Sequence, residues 1–132
     1  MNRINSDDKK TIEKFLKEIR NIIESPDFDI ERDFIMEDRK EDTEIYSYSN
    51  YYTMLELNYN NANIINEIKS LTHENYHKTI TDTVGNCVFL YIFFKVINEK
   101  NVYIKLGTYQ RKREGPIICI SFHFSDPNKE LK

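Results

Sequence analysis

Two runs near the end of this 132-residue chain constrain their own geometry. They are Val102-Tyr103-Ile104-Lys105-Leu106 and Ile117-Ile118-Cys119-Ile120-Ser121-Phe122-His123-Phe124. Both alternate with period two, the pattern of a half-buried strand. In the first, Val102, Ile104 and Leu106 share one face, and Tyr103 and Lys105 the other. In the second, Ile118, Ile120, Phe122 and Phe124 oppose Cys119, Ser121 and His123. Neighbouring strands would gather a phenol, an ammonium, a hydroxyl and an imidazole on one sheet surface, groups able to hold and cleave a phosphodiester.

The rest of the chain supplies helices to cover the apolar face. Ile12, Phe15, Leu16, Ile19, Ile22 and Ile23 trace a helical stripe, with Ser6 as N-cap, Asp7 and Asp8 in the first turn, and Pro26 as the stop. Residues 27–50 form an irregular acidic arm whose one apolar knot, Phe34-Ile35-Met36, is expected to be an edge strand. Tyr52 to Leu57 is a short helix broken at Asn58, and Asn61 caps a second stripe of Ala62, Ile64, Ile65, Ile68 and Leu71. Thr72 caps one further turn, Glu74 to His77. Gly85-Asn86 marks a turn, and Cys87 to Val96, apolar on both faces, reads as a central strand. Asn98 to Asn101 is a hairpin turn. Gly107 and Gly115-Pro116 bracket a loop carrying Arg111-Lys112-Arg113, and residues 127–132 are a tail. The whole reads as one α+β domain, with N-terminal helices packed on a C-terminal antiparallel sheet and residues 51–126 holding the helices and strands. The phase Phe89, Tyr91, Phe93, Lys95 is placed on the polar surface with Tyr103, Lys105, Ser121 and His123.

Composition narrows the function classes. The net charge of −3 is unevenly spread. Residues 1–70 hold 10 Lys/Arg against 16 Asp/Glu, a balance of −6, while residues 71–132 hold 9 against 6, a balance of +3. The positive half carries the strand motifs, so local charge favours an anionic partner where the overall charge does not. Cys87 and Cys119 lie in apolar runs and read as reduced core thiols; no CxxC and no zinc spacing is present, and neither metal nor cofactor is expected. Asp7 and Asp8 interrupt any signal-like start, and the apolar run Cys87 to Phe94 is too short to span a bilayer, so a cytoplasmic location without membrane contact is expected.

An ordered set of short motifs resembles a known family. Glu56-Leu57-Asn58-Tyr59, Ile64-Ile65, Leu71-Thr72 with Asn75-Tyr76-His77-Lys78-Thr79, then Tyr91, Tyr103-Ile104-Lys105-Leu106 and Ile120-Ser121-Phe122-His123 resemble the motility quorum-sensing regulator toxins over about residues 51–124. The resemblance implies the RelE-like microbial ribonuclease fold. It also implies a type II toxin–antitoxin toxin that cuts single-stranded mRNA at short sequences without metal, and a cognate antitoxin encoded by a neighbouring gene. Lys78 matches the family's lysine after the Tyr-rich turn, and Tyr103 the tyrosine opening its Tyr-x-Lys strand. This chain departs from some members in having His123 where they have Lys, and Val88 about where they have Gln.

Metal-free RNA cleavage uses the ribose 2′-OH as nucleophile. It requires cations or donors for the phosphorane, a base for the attacking hydroxyl and an acid for the leaving oxygen. Lys78 and Lys105 suit the charge, Tyr103 the phosphate, and His123 the acid, since imidazole titrates nearest neutrality. His77 and Ser121 are second-line candidates, with His77 placed on a turn. Tyr91, Lys95, Arg111, Lys112 and Arg113 are the expected RNA contacts, Tyr91 by stacking and the others through phosphates. The same residues would also suit a catalytically inactive regulator whose sheet face holds RNA or protein.

Overall fold

The computed structural model describes residues 3–4, 8–36, 49–82, 87–111 and 115–125. Helix α1 (Lys9–Glu24) begins at Asp8, whose carboxylate accepts the Thr11 N–H at 2.9 Å. That bond holds the Asp8 carboxyl below its ordinary range. The cap is therefore Asp8 and not Ser6: a charged acceptor two residues further on meets the N–H of the third helical residue. The helix ends where Pro26 requires, with Ser25 as C-cap, and buries Ile12, Phe15, Leu16 and Ile19.

A four-residue turn, α2 (Ile30–Asp33), leads into β2 (Phe34–Met36); a two-residue strand, β1 (Arg3–Ile4), precedes α1. Helix α3 (Asn50–Leu57) is capped by Ser49 and stopped by Asn58, which takes the left-handed conformation at φ 57°. Helix α4 (Asn61–Lys69) is capped by Asn60, not Asn61, in a reciprocal pair: Asn60 Oδ1 accepts from Asn63 N and Asn63 Oδ1 from Asn60 N. Thr72 caps a 3₁₀ turn at His73–Asn75, and the chain then enters β3 (Tyr76–Thr81), a strand that sequence periodicity did not reveal.

The remaining strands are β4 (Phe89–Ile97), β5 (Lys100–Arg111) and β6 (Gly115–Phe124). The sheet order is β1-β3-β4-β5-β6-β2. All pairings are antiparallel except β2 with β6, so the sheet is mixed, with Phe34-Ile35-Met36 at its edge as expected. The fold class is α+β.

Two corrections follow from the hairpins. β4 and β5 are joined by two residues, Asn98 and Glu99, both at positive φ (51° and 66°), the primed-turn geometry that matches strand twist. Ile97 therefore pairs with Lys100, and Tyr103 pairs with Phe94, not with an odd-numbered residue of β4. Gly107 does not open a loop. It sits inside β5, where a Cβ would come within 2.7 Å of Leu90 Cδ2 and 2.8 Å of Cys87 Sγ. β5 thus runs on to Arg111.

The helices cover one face. Phe93, Val102, Ile104, Leu106, Ile118, Ile120 and Phe122 are buried against α1, α3 and α4. β2 covers the outer edge of β6 only as far as Ile120. Beyond it, α3 takes over: the Phe122 N–H donates to Asn50 Oδ1 at 2.8 Å and the Phe124 N–H to Thr53 Oγ1 at 2.9 Å. The buried face of α3 thereby satisfies an edge that would otherwise be open.

Candidate functional site

The face away from the helices is ordered by strand register. Lys78 pairs with Ile92, Ile92 with Lys105, and Lys105 with Ser121, giving one row across four strands. The next row is Phe94, Tyr103 and His123. With strands about 4.8 Å apart, the Cα atoms of Lys78 and Lys105 lie roughly 10 Å from each other, and successive rows about 7 Å apart. Two lysine side chains can converge on one anion over that distance. Among the described residues, no hydrogen bond or ion pair engages the side chain of either lysine, and the carboxylate of Asp82, two rows along from Lys78, accepts the Cys87 N–H at 3.2 Å.

His77 reaches this face through a bulge. The register slips between Tyr76 and Lys78, which lie opposite the consecutive residues Phe93 and Ile92. His77 is the extra residue, and its ring meets Phe94 at 5.2 Å. His77 and Lys78 are therefore strand residues on one surface, not members of a turn that point apart. Four rings then run across the sheet. Phe94 meets Tyr103 at 5.8 Å, and Tyr103 stacks on His123 at 4.8 Å and 22°. Phe94 was missed by sequence reasoning because β4 had been given the opposite phase; the parity of the hairpin loop is the signal that fixes it.

Burial rises along this row. His77 is exposed, Phe94 and Tyr103 are half-buried, and His123 is 5% exposed. His123 Nδ1 lies 3.0 Å from the Phe124 carbonyl oxygen. A carbonyl only accepts, so Nδ1 carries a proton and Nε2 is the nitrogen through which a neutral ring can exchange one. Ser121 is buried at 6% beside Lys105 in register.

Tyr91 and Lys95 fall on the opposite face. Tyr91 stacks on Phe15 of α1 at 4.0 Å and 23°. Lys95 is held by Glu67 and Ser70 at the end of α4, and the Tyr59 hydroxyl donates to the same Glu67 carboxylate. That bond, with burial and the carboxylate charge, pushes the Tyr59 phenol up to about 12. Burial works to raise the Glu67 carboxyl, but the Lys95 and Tyr59 hydrogen bonds outweigh it and hold the group below its usual range. Neither Tyr91 nor Lys95 is placed to touch RNA on the Lys78 face. Arg111 ends β5, roughly 20 Å along the strand from Lys105. Lys112 and Arg113 lie outside the described residues, as does Gly85-Asn86.

A cavity of about 530 Å³ lies elsewhere, between the end of α1, α2 and the start of β6. The one cation among its described lining residues, Arg32, is committed to Asp33 through two bonds of 2.8 and 2.9 Å and to the Asp27 carbonyl. None of its described lining residues is among the side chains of the lysine face. Among the described residues no helix is long and apolar enough to cross a membrane.

Neither the curated proteins nor the solved structures hold a match to the chain. A family does match, over residues 35–124, from the edge strand β2 to the last residue of β6, and so across every strand that builds the lysine face. This chain belongs to the family described as motility quorum-sensing regulator, toxin of MqsA; it is a toxin of a toxin–antitoxin system, and its partner class is an antitoxin.

Proposed function

We propose that the chain is a metal-independent, sequence-preferring mRNA endoribonuclease that uses the ribose 2′-OH as nucleophile on a RelE-like scaffold. The observation that carries the reading is the pair of unengaged ammoniums, Lys78 and Lys105, one row from the Tyr103 phenol. Lys78 and Lys105 stabilise the phosphorane, and Tyr103 orients the phosphate by hydrogen bonding. The leaving 5′ oxygen takes its proton from an imidazolium of the aromatic row, which is left as the neutral imidazole. His123 is the first assignment, because its Nδ1 proton is held by the Phe124 carbonyl, so that the proton transferred is the one on Nε2, and because it adjoins both Tyr103 and Ser121. His77, exposed beside Lys78, is the second. The basic segment 111–113 adds phosphate affinity at a distance from the cut.

Purified protein is incubated with naked single-stranded RNA in excess chelator, and the product ends are analysed. Cleavage leaving 2′,3′-cyclic phosphate or 3′-phosphate ends is expected; loss of cutting under chelation, or other ends, refutes the 2′-OH mechanism. The burial of His123 favours a second reading, an inactive RNA- or protein-binding regulator, which predicts binding without cutting in the same tube. Expressed alone, the chain should arrest bacterial growth, and the antitoxin from the adjacent reading frame should relieve it.

A further inference from the structure

Phe94 has no role in the chemistry above, yet it occupies the centre of the face. It is a half-buried phenyl ring between two lysine-bearing strands, one row from Lys78 and Lys105. Both ring neighbours are turned steeply from its plane, His77 by 72° and Tyr103 by 70°. No ring among the described residues lies parallel to it. Tyr103 differs, since His123 already covers one of its faces at 22°. Beyond Phe94 on the same face and strand comes Val96, 68% exposed, which extends the apolar surface outward to solvent. An apolar ring at this position contributes nothing to the helix-side core, where Phe93 and Ile97 are the buried residues of β4.

We propose that Phe94, with His77 against it and Val96 beyond, is a base-stacking platform for single-stranded RNA, holding the base of a nucleotide whose phosphate lies over Lys78 and Lys105. The inference rests on the ribonuclease reading and adds to it the element that grips a base. The spacing suits it. Rows of one face are about 7 Å apart along a strand, comparable to the separation of a base from its own phosphate. Charge at one row and an aromatic ring at the next is the combination that single-strand binders use, because every base offers a π-face and every nucleotide a phosphate. Lysines alone would bind any polyanion. A ring in register with them selects unpaired bases, since a base within a duplex has both faces occupied by its stacked neighbours. The imidazole of His77 adds a polar edge able to hydrogen-bond the stacked base, so that this subsite contributes to sequence preference.

The test measures binding of a short 2′-O-methyl RNA, which cannot be cut, by fluorescence anisotropy. Wild type is compared with Phe94→Leu, Phe94→Tyr and Phe94→Trp, on the intact RNA and on the same strand with abasic positions. Losing one stacked base costs roughly 5- to 150-fold in affinity. Phe94→Leu should show that loss on intact RNA with an unchanged salt slope, while Phe94→Tyr and Phe94→Trp retain binding. On abasic RNA the difference between wild type and Phe94→Leu should vanish, and this comparison holds even where Phe94→Leu lowers the Tm. Equal binding of wild type and Phe94→Leu to intact RNA overturns the platform and leaves the ribonuclease reading standing. So does an undiminished difference on abasic RNA. A Phe94→Leu protein that binds RNA normally but escapes neutralisation by the antitoxin also overturns it, and makes the ring a protein contact. A wild-type protein that neither binds nor cuts RNA refutes the ribonuclease reading itself.

Discussion

The last edge N–H of β6 is held by one hydroxyl. Thr53 is fully buried, and its Oγ1 accepts the Phe124 N–H at 2.9 Å while donating to the Ser49 carbonyl at 3.0 Å. Thr53→Val preserves the shape of the side chain and removes both bonds. The Phe124 N–H then lies next to a methyl group at an edge that β2 no longer covers, since β2 pairs only as far as Ile120. Leaving a buried donor unsatisfied costs about 1–3 kcal/mol. With an unfolding entropy of about 2.1 cal/mol/K per residue, a chain of this length loses roughly 4–11 °C in Tm. Calorimetry on wild type and Thr53→Val checks this. The consequence extends to the site, because the Phe124 carbonyl holds His123 Nδ1. RNA cleavage measured well below the Tm should fall more than the small unfolded fraction accounts for. An unchanged Tm would refute the claim that α3 closes the β6 edge, and a lowered Tm with unchanged cleavage would detach His123 from that edge.

Other expectations are read from equally specific contacts. The Tyr59 phenol is raised from 10 to about 12 in the folded state, so its contribution is fully present below pH 10 and lost as the pH climbs from 10 to 12. Tyr59→Phe should flatten that alkaline limb in denaturant melts. Glu67 is shifted the other way, and its contribution disappears as the pH falls below its unfolded value of 4.5. Gly107→Ala places a Cβ under 3 Å from Leu90 and Cys87 and should destabilise by about 1–3 kcal/mol, read as a lower denaturant midpoint. Replacing Arg111, Lys112 and Arg113 by Ala should weaken RNA binding and flatten its salt dependence without altering the preferred cut sequence. Lys78→Glu should abolish cleavage, by about a hundredfold or more, while leaving the Tm equal or slightly higher.

The legible parts of the fold are those with one buried face. α1 and α4 show their stripes because solvent lies opposite the core, and β5 and β6 alternate because helices cover only one side of the sheet. β4 is apolar on both sides for separate reasons. Phe93 enters the helix-side core, while Leu90 joins Cys87, Ile80 and Tyr109 in a small second cluster, and Ile92 lies between two lysines whose aliphatic stems suit an apolar neighbour. Its own pattern therefore carries no phase, and only the loop parity at Asn98-Glu99 sets it. That one-residue ambiguity placed Tyr91 and Lys95 on the wrong surface and concealed Phe94. β3 was missed because the bulge at His77 breaks its period. Tyr103, Lys105, Ser121 and His123 were brought to one face by sequence alone, since β5 and β6 do alternate, whereas Lys78 was reached only through the family resemblance.

The two sets of lysines separate what the fold needs from what it tolerates. Lys95 projects to the helix side and meets Glu67, and Lys69 reaches Glu24. Lys78 and Lys105 project to the other side, where two like charges flank a single isoleucine. At roughly 10 Å that repulsion is about 0.4 kcal/mol in bulk water and about 1.7 kcal/mol at an effective dielectric of 20, before salt screens it. A sheet built only for stability would set opposite charges across its strands, as cross-strand pairing rewards. A phosphate placed between the two ammoniums reverses the sign of the interaction, so the repulsion of the free protein becomes affinity for the substrate. A local rule broken without a structural gain marks a functional position. Lys78→Glu separates the two explanations: it removes the repulsion and the anion site together. A fold that is no less stable but no longer cuts RNA shows that the pair was retained for its anion, whereas a destabilised protein shows that the lysine was supporting the sheet.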